Sequence, residues 1–378
     1  MPISQTALSW FWLGRRAARG IIMINRKIVF VIGAGSGFDI NMPLGTKLAE
    51  NISKLTAVKN GAYGMPEPCD QKFSDMLRYY AHNNDDMEDP DAIEKYYKIS
   101  SDISLGINLA KSIDDFVNTH QQNKKLVAVA KIAIAECILN AERNCLLYNE
   151  FNGRQFVDFS QTKRTWYSSL FSTLAHGVPS SNMADAFKYI TFINFNYDRC
   201  LEFFLTNALR QYFLCDNEYA NNVVKNIKIL HPYGQVGFLP GSAGTRNIIK
   251  FGGSDDYPHN SVKAANEIIT YTENIQDGNL RSEILEAISG AQSIVFLGFG
   301  FHDQNIKILT PPPSQIVFNK QIFATAMGIS KPNAKVLMHN LRTMCLPPNS
   351  GAQSDNAIFL ERELDCTGLL SDYDLVLK

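Results

Sequence analysis

The chain has 378 residues, 45% of them hydrophobic and 19% charged, a composition typical of a globular protein with two or three domain-sized units. Its formal net charge of −1 gives no indication of a surface dedicated to nucleic acid. The seven cysteines include no Cys-x-x-Cys pair, which argues against a zinc ribbon or finger and suits a reducing compartment. We therefore expect a cytoplasmic protein that needs no metal.

Residues 1–26 differ from the rest of the chain. Residues 7–13 are apolar but too short to span a bilayer, and Arg15, Arg16 and Arg19 follow them, which is the wrong order for a secretory signal. An Arg-rich stretch without acidic residues leaves a transit peptide or a membrane-surface helix open. We interpret the stretch as a loosely attached N-terminal extension, and we expect no membrane partner.

Residues 27–45 form the stretch around which the chain is organised. Residues 28–32 are an unbroken β-branched and aromatic run, which predicts a strand buried on both faces of a parallel sheet. Gly33, Gly35 and Gly37 follow at once, and Pro43 opens a stretch with helical spacing. A strand that leads through a Gly-rich turn into a helix is typical of a phosphate cradle, although the same pattern also occurs as a tight turn alone.

A long helical segment interrupts the predicted sheet. Helical periodicity recurs between residues 70 and 185, so we expect residues 61–185 to be a helical insertion. The acidic run 83–90 within it is interpreted as an exposed loop, with cation binding as the alternative. The sheet is expected to resume over residues 186–345, and residues 346–378 are left as a C-terminal tail. The fold class predicted is α/β, a Rossmann-like parallel sheet built from 27–60 and 186–345.

Four predicted strands are followed by glycines or polar residues. These strands are residues 28–32, 189–194, 227–230 and 293–297. Because the carboxyl ends of parallel strands line one crevice of an open α/β sheet, we expect the segments that follow them to meet there. This convergence is the strongest physical indication of a binding site in the sequence.

Each polar residue in these segments has two interpretations. Asn194 and Asn196 could cap the helix that begins near Asp198, or Asp198 could cap it and leave Asn196 free to face the crevice. His231 could be a structural hydrogen-bonding residue or a general base, since its ordinary pKa lies near neutrality. His302 and Asp303 could equally cap the helix that begins at Asp303.

Taken in order, these segments resemble the sirtuin-type (SIR2-like) NAD-binding family. Gly33-Ala34-Gly35 followed by Met42-Pro43 is similar to the nucleotide loop of the family, and residues 195–198, Phe-Asn-Tyr-Asp, are similar to its Asn-containing motif. His231 with Gly234 resembles the His-Gly motif, and residues 298–303 resemble the closing Gly-rich segment. The zinc module of deacylating sirtuins has no counterpart, which makes the chain similar to bacterial SIR2-like antiphage-defence proteins.

The resemblance implies an NAD+ glycohydrolase that cleaves the nicotinamide–ribose bond of NAD, its substrate, without a metal. It implies that Asn196 holds the ribose or the attacking water and that His231 accepts a proton. The residues it implies for binding NAD are Gly33, Ala34, Gly35, Ser36, Asp39, Pro43, Asp198, Gly298, Gly300 and Asp303. We expect a side chain at Gly35 to occupy the space that a phosphate needs while the protein stays folded.

Two other functions remain open at this stage. One is an NAD-dependent protein deacylase, and the other is a non-catalytic nucleotide sensor or assembly module in which Asn196 and His231 are structural. The resemblance further implies a role in antiphage defence by NAD depletion, with a homo-oligomer and a HerA-like ATPase or a prokaryotic Argonaute as partners. Direct binding of nucleic acid is not expected.

Overall fold

The strand Ile28–Ile32 lies near the centre of a parallel sheet, as its unbroken apolar sequence predicts. The computed structural model describes residues 24, 26–61, 66–84, 92–242, 247–253, 256–312, 320–345 and 357–377. The strands in these ranges are β1 (Ile28–Ile32), β2 (Val58–Asn60), β3 (Pro66–Pro68), β4 (Asn149–Phe151), β5 (Arg154–Phe156), β6 (Ile190–Asn194), β7 (Lys228–Leu230), β8 (Ser293–Leu297), β9 (Gln321–Thr325) and β10 (Ile358–Glu361).

Helices cover both faces of this sheet. They are α1 (Gly45–Leu55), α2 (Gln71–Asn84), α3 (Ala92–Gly106), α4 (Ile113–Thr119), α5 (Lys124–Asn144), α6 (Phe159–Thr162), α7 (Trp166–Ala175), α8 (Cys200–Phe213), α9 (Asn217–Lys225), α10 (His259–Ala265), α11 (Tyr271–Gln276), α12 (Gly278–Gly290), α13 (Asp303–Leu309), α14 (Lys331–Cys345), α15 (Cys366–Asp372) and α16 (Asp374–Leu377). Short 3-10 helices cover Ala34–Ile40, Ile107–Leu109 and Ser180–Phe187.

The main sheet has the strand order β10-β9-β8-β1-β6-β7, and the strands are parallel. From β1 the chain adds β6 and β7 on one side and then crosses to add β8, β9 and β10 on the other. This is the doubly wound order of a Rossmann fold, and its topological switch point lies between β1 and β8. The predicted fold class is therefore confirmed.

Alternate side chains of β1 enter two separate cores. Val29 and Val31 pack with α1, α2, α3 and α5 on one face, and Phe30 packs with α7 and α8 on the other. The helical insertion is thus divided between the two sides of the sheet. The helices α2–α5 therefore lie over the same face of the sheet as α1.

Several elements differ from the sequence-based expectations. The β4–β5 hairpin lies within the insertion and pairs with itself, apart from the main sheet. The helical periodicity of residues 93–119 predicts helix throughout, but the 3-10 turn Ile107–Leu109 and the loop to Ser112, the N-cap of α4, separate α3 from α4. The first long helix begins at Gly45 and not at Pro43.

The segment treated as a tail contributes to the sheet. Residues Ile358–Glu361 pair in parallel with β9 as its edge strand, and α15 packs on α7. The isolated apolar run Ile358–Leu360 was too short to predict as a strand without its neighbour. The division of the chain into domains stays a prediction, and residues 1–23, 25 and 85–91, with most of the extension and the acidic run, lie outside the described residues.

Candidate functional site

The Gly-rich turn after β1 is held against the end of β8. The Gly33 N–H donates to the Leu297 carbonyl oxygen at 3.0 Å, and the Gly35 N–H donates to the Gly298 carbonyl oxygen at 2.9 Å. These bonds lie at the topological switch point, where open α/β sheets bind their ligands. The crevice begins at this contact.

The glycines allow the two backbones to approach each other. A Cβ atom added at Gly33 would lie 2.8 Å from the Gly298 carbonyl oxygen, and one added at Gly35 would lie 2.9 Å from the same oxygen. Gly298 itself has a φ of +58°, and an added Cβ would lie 2.0 Å from the Ser36 nitrogen. The Cβ direction of Gly35 therefore leads into protein backbone, so the expectation that a side chain there would fill phosphate space is wrong.

A cavity of about 670 Å³ extends from this turn. This volume is in the range of cavities that take small molecules and cofactors. Its walls come from the β1 turn, the first turn of α1, the start of α4, the loop after β6 and the loop after β8. Its lining includes Gly33, Ala34, Gly35, Pro43, Gly45, Thr46, Asp114, Asn196, Tyr197, Asp198, Tyr233, Gly298, Gly300, His302 and Asn305.

The loop after β6 presents Asn196 to the cavity. The Asn194 side chain accepts a hydrogen bond from the Asn196 N–H at 3.1 Å, and the Asp198 carboxylate accepts one from the Cys200 N–H at 3.0 Å. These two side chains therefore hold the turn into α8. The Asn196 side chain has no hydrogen-bond partner among the described residues, so its amide is available to a ligand. Arg199 occupies the N-cap position of α8 and makes no side-chain capping bond, and the Asp198 carboxylate accepts the N–H of Cys200, the first residue of the helix.

A buried ion pair fixes the end of the same loop. The Arg199 guanidinium lies 2.5 Å from the Glu142 carboxylate of α5, and both side chains are buried. The Arg199 N–H also donates to Glu142, and the guanidinium donates to the carbonyl oxygens of Ile249 and Lys250. The insertion thus takes part directly in positioning the loop that carries Asn196.

Asp114 is a residue of this site that the sequence did not indicate. It lies in the first turn of α4, lines the cavity and accepts a hydrogen bond from the Tyr197 hydroxyl. Burial raises the pKa of the Asp114 carboxyl, and the bond from Tyr197 opposes that shift only in part. A carboxylate with a raised pKa that lines the same cavity as a free amide can accept a proton from a bound water.

A second carboxylate in the cavity has a perturbed pKa. Burial raises the pKa of Asp198 to about 6, and the negative charges of Glu142 and Glu202 add to the increase. The bonds from Cys200 act in the opposite direction. Titratable groups shifted in this way are common in functional clefts.

His231 lies outside the cavity that Asn196 lines. Its Nε2 atom is 2.6 Å from a Glu202 carboxylate oxygen and its Nδ1 atom is 3.3 Å from the Asn196 carbonyl oxygen. Since both partners are acceptors, both ring nitrogens donate, and such a ring has no lone pair with which to accept a proton. Burial lowers the pKa of His231, but the Glu202 carboxylate and the Asn196 carbonyl outweigh it, and the net shift is upward.

The structure brings together most of the residues predicted to bind NAD. Those that line the cavity are Gly33, Ala34, Gly35, Pro43, Asp198, Gly298 and Gly300. Ser36, Asp39 and Asp303 are not among the lining residues. The Asp39 carboxylate instead accepts hydrogen bonds from the Trp166 N–H at 3.3 Å and the Thr367 hydroxyl at 2.8 Å, so it joins α7 to α15.

His302, considered from the sequence as a helix cap, faces the site. It occupies the N-cap position of α13, but its side chain makes no capping hydrogen bond and lines the cavity. The described residues contain no group of three His, Cys, Asp or Glu side chains placed to hold a metal ion. They also contain no helix that is long and apolar enough to cross a membrane.

A doubly wound sheet with a glycine-lined crevice at its switch point is the arrangement in which open α/β sheets bind nucleotides. Residues 190–311 match the family model of the SIR2-like domain. This part of the chain is therefore similar to the SIR2-like domain, a class of domain that binds NAD. The matched residues include Asn196, His231 and Gly298 but not the turn after β1. In the structure this turn lines the same crevice as Asn196 and Gly298. No curated protein matches the chain.

Proposed function

We propose that the chain is an NAD+ glycohydrolase that converts NAD and water into ADP-ribose, nicotinamide and a proton. The observation that carries the proposal is that the Asn196 amide, which has no hydrogen-bond partner among the described residues, lines the same cavity as the Asp114 carboxylate and the Gly-rich turn. A SIR2-like domain supports NAD as the substrate.

In this proposal NAD binds to the backbone at the switch point of the sheet. The pyrophosphate would lie near the Gly33–Gly35 turn and the first turn of α1, whose unpaired N–H groups and helix dipole attract negative charge. Gly45, where an added Cβ would meet no atom within 4 Å, leaves this turn of α1 open to the ligand. The nicotinamide riboside would then extend along the crevice to Asn196 and Asp114.

The chemical step needs little from the protein beyond position and one proton acceptor. As the bond between C1′ of the ribose and the pyridinium nitrogen breaks, its electron pair neutralises the ring and nicotinamide leaves. Water forms the new C–O bond at C1′ and gives its proton to the Asp114 carboxylate. The Asn196 amide would hold the ribose or this water in place.

His231 has a different role in this proposal. Because both of its ring nitrogens donate, we assign it the positioning of Asn196 through the bond to the Asn196 carbonyl oxygen. Proton transfer is assigned to Asp114, since that carboxylate lines the cavity and the His231 ring does not.

The biological role that the family resemblance supports is antiphage defence by NAD depletion in the cytoplasm. In this proposal the activity is held in check by assembly into a homo-oligomer or by a partner such as a HerA-like ATPase or an Argonaute. Co-purification of the tagged chain with each candidate partner, followed by a mass measurement of the complex, tests this part separately from the chemistry.

Incubation of the pure protein with NAD, with and without an acylated peptide, tests the reaction. Free ADP-ribose and nicotinamide in equal amounts without peptide are expected. Acyl-ADP-ribose formed only with peptide would indicate a deacylase, and unchanged NAD with measurable binding would indicate a sensor module. Either of these two results would overturn the proposal.

A further inference from the structure

The β4–β5 hairpin of the insertion forms one wall of a second cavity, and α8 and α9 form two others. The volume of this hairpin cavity is about 540 Å³, which is within the range of pockets that take small molecules. The Gln155 amide of β5 donates to the Phe251 carbonyl oxygen at 2.7 Å and so joins the hairpin to the opposite wall. No residue lines both the hairpin cavity and the crevice that contains Asn196.

The charged side chains that line the hairpin cavity are all cations. They are Arg154 of β5, Arg210 of α8 and Lys250, and none of them forms an ion pair with another described residue. Glu150 of β4 and Asp216, the N-cap of α9, do not line the cavity and already accept hydrogen bonds. A cleft lined by charges of one sign attracts ligands of the opposite charge. The hairpin cavity is therefore suited to an anion.

Two of these cations are held in place by buried side chains. Asn207 is buried, and its Oδ1 atom accepts a hydrogen bond from the Arg210 guanidinium at 3.2 Å. The Lys250 carbonyl oxygen accepts a hydrogen bond from the buried Arg199 guanidinium at 3.1 Å, which fixes the backbone that carries the lysine. Binding costs less when the groups that contact the ligand are already ordered.

Two side-chain amides of α9 also line the hairpin cavity. Asn217 and Asn221 are four residues apart, so they lie on the same side of the helix. Neither side chain forms a hydrogen bond with another described residue. An amide both donates and accepts hydrogen bonds, which suits the hydroxyl groups of a sugar.

We propose that the hairpin cavity binds a small sugar bisphosphate. Its phosphate groups would bind to Arg154, Arg210 and Lys250, since guanidinium groups match phosphate oxygens in geometry and charge. The three cations come from different walls of the cavity, so two phosphate groups set apart meet them better than one. The hydroxyl groups between the phosphates would bind to Asn217 and Asn221. Binding at this site does not depend on the proposed cleavage of NAD.

Calorimetric titration of fructose 1,6-bisphosphate into the full chain, without NAD, tests the site. The bisphosphate should bind about tenfold more tightly than fructose 6-phosphate or better, because the monophosphate meets fewer of the cations. Arg154→Gln and Lys250→Gln change exposed side chains, so both variants are expected to fold. Each should bind the bisphosphate about tenfold more weakly or worse, because a hydrogen bond between charged groups is lost.

Two controls make the outcome decisive. Lys225→Gln removes an exposed cation of α9 that does not line the hairpin cavity, and it should leave the affinity unchanged. Gly45→Leu changes the crevice and not the hairpin cavity, so it should also leave the affinity unchanged.

Three results would overturn the proposal. The first is no measurable binding to the parent chain. The second is an affinity for the bisphosphate that is equal in the parent, Arg154→Gln and Lys250→Gln. The third is a loss in Lys225→Gln or Gly45→Leu as large as in those two variants, which would show a general charge effect or binding in the crevice. NAD cleavage is measured separately, so its failure and the failure of this site are distinguishable.

Discussion

The Glu142 carboxylate of the insertion and the Arg199 guanidinium at the end of the site loop are 2.5 Å apart and buried. The Glu142 carboxylate also accepts the backbone N–H groups of Arg199 and Gly252. Three segments far apart in sequence are therefore joined at one carboxylate, close behind Asn196. This arrangement makes the helical insertion part of the scaffold of the site.

Glu142→Ala should lower the free energy of unfolding by about 3–5 kcal/mol, because it leaves the Arg199 charge buried without its partner. Chemical denaturation followed by circular dichroism measures the change. Glu218→Ala, at an exposed position, should change stability by only about 0.5 kcal/mol. Equal effects of the two substitutions would show that the buried pair does not hold the loop.

Gly45 offers a cleaner test of nucleotide binding than Gly35. It is the first residue of α1, lines the crevice, and an added Cβ meets no atom within 4 Å. Gly45→Leu should therefore keep or raise the melting temperature while weakening NAD binding about tenfold or more, equivalent to about 1.4 kcal/mol.

The matched control for Gly45 is Gly278, the first residue of α12. It is also exposed with open space around an added Cβ, and it does not line the crevice. Gly278→Leu should leave NAD affinity unchanged in the same titration. If Gly45→Leu binds NAD as the parent chain does, the nucleotide does not lie at the first turn of α1.

Asp114→Asn should reduce NAD cleavage about 10²-fold or more, because the amide can still accept the Tyr197 hydrogen bond but cannot take a proton. Since burial raises the pKa of Asp114, the acidic limb of kcat/KM in the parent chain should lie above the ordinary aspartate range near ~3.9. Asp115→Asn, one residue along the same helix and outside the cavity lining, is the control. Similar losses in both variants would remove Asp114 from the chemistry.

Asp198 should make stability depend on pH. Its pKa is raised from 3.8 to about 6 in the folded state, so its contribution to stability is present below pH ~4 and is lost as pH rises through about 6. Asp198→Asn keeps an acceptor for the Cys200 N–H. It has no carboxyl group to ionise, so it does not lose this stability as the pH rises. The variant should therefore gain on the order of 2–3 kcal/mol over the parent between pH 4 and pH 7.

Urea denaturation of both proteins at pH 4 and pH 7 measures this difference. The gain of Asp198→Asn should be small at the lower pH and large at the higher one. A difference that is the same at both pH values would mean that Asp198 titrates in its ordinary range.

The sequence predicted the sheet well because its buried strands are short apolar runs followed at once by glycines or polar residues. The β1, β6, β7 and β8 strands are found within one residue of their predicted ends. Asn41, which precedes Met42 and Pro43, has a φ of +66°, a left-handed angle that Asn adopts more readily than most residues. Local patterns of this kind depend on neighbouring residues only.

The site was less predictable because its remaining parts depend on distant contacts. Asp114 reaches the crevice only because α4 packs beside the loop after β6, and its sequence context is an ordinary helix start after Ser112. The orientation of His231 is set by Glu202, which lies a helix earlier in the chain. The atoms that a Cβ at Gly35 would meet likewise belong to Gly298, which is more than 260 residues away in sequence.

In the proposed reaction Asn196 acts directly in cleavage of NAD. The measurement is chromatographic quantification of NAD, ADP-ribose and nicotinamide after incubation of equal amounts of the parent chain and Asn196→Ala, with a thermal melt of each. The parent should release ADP-ribose and nicotinamide one to one, and the variant should melt as the parent does but turn over about 10²-fold more slowly or worse. NAD left intact by the parent, or near-equal turnover by the folded variant, would contradict a direct role of Asn196 in NAD cleavage.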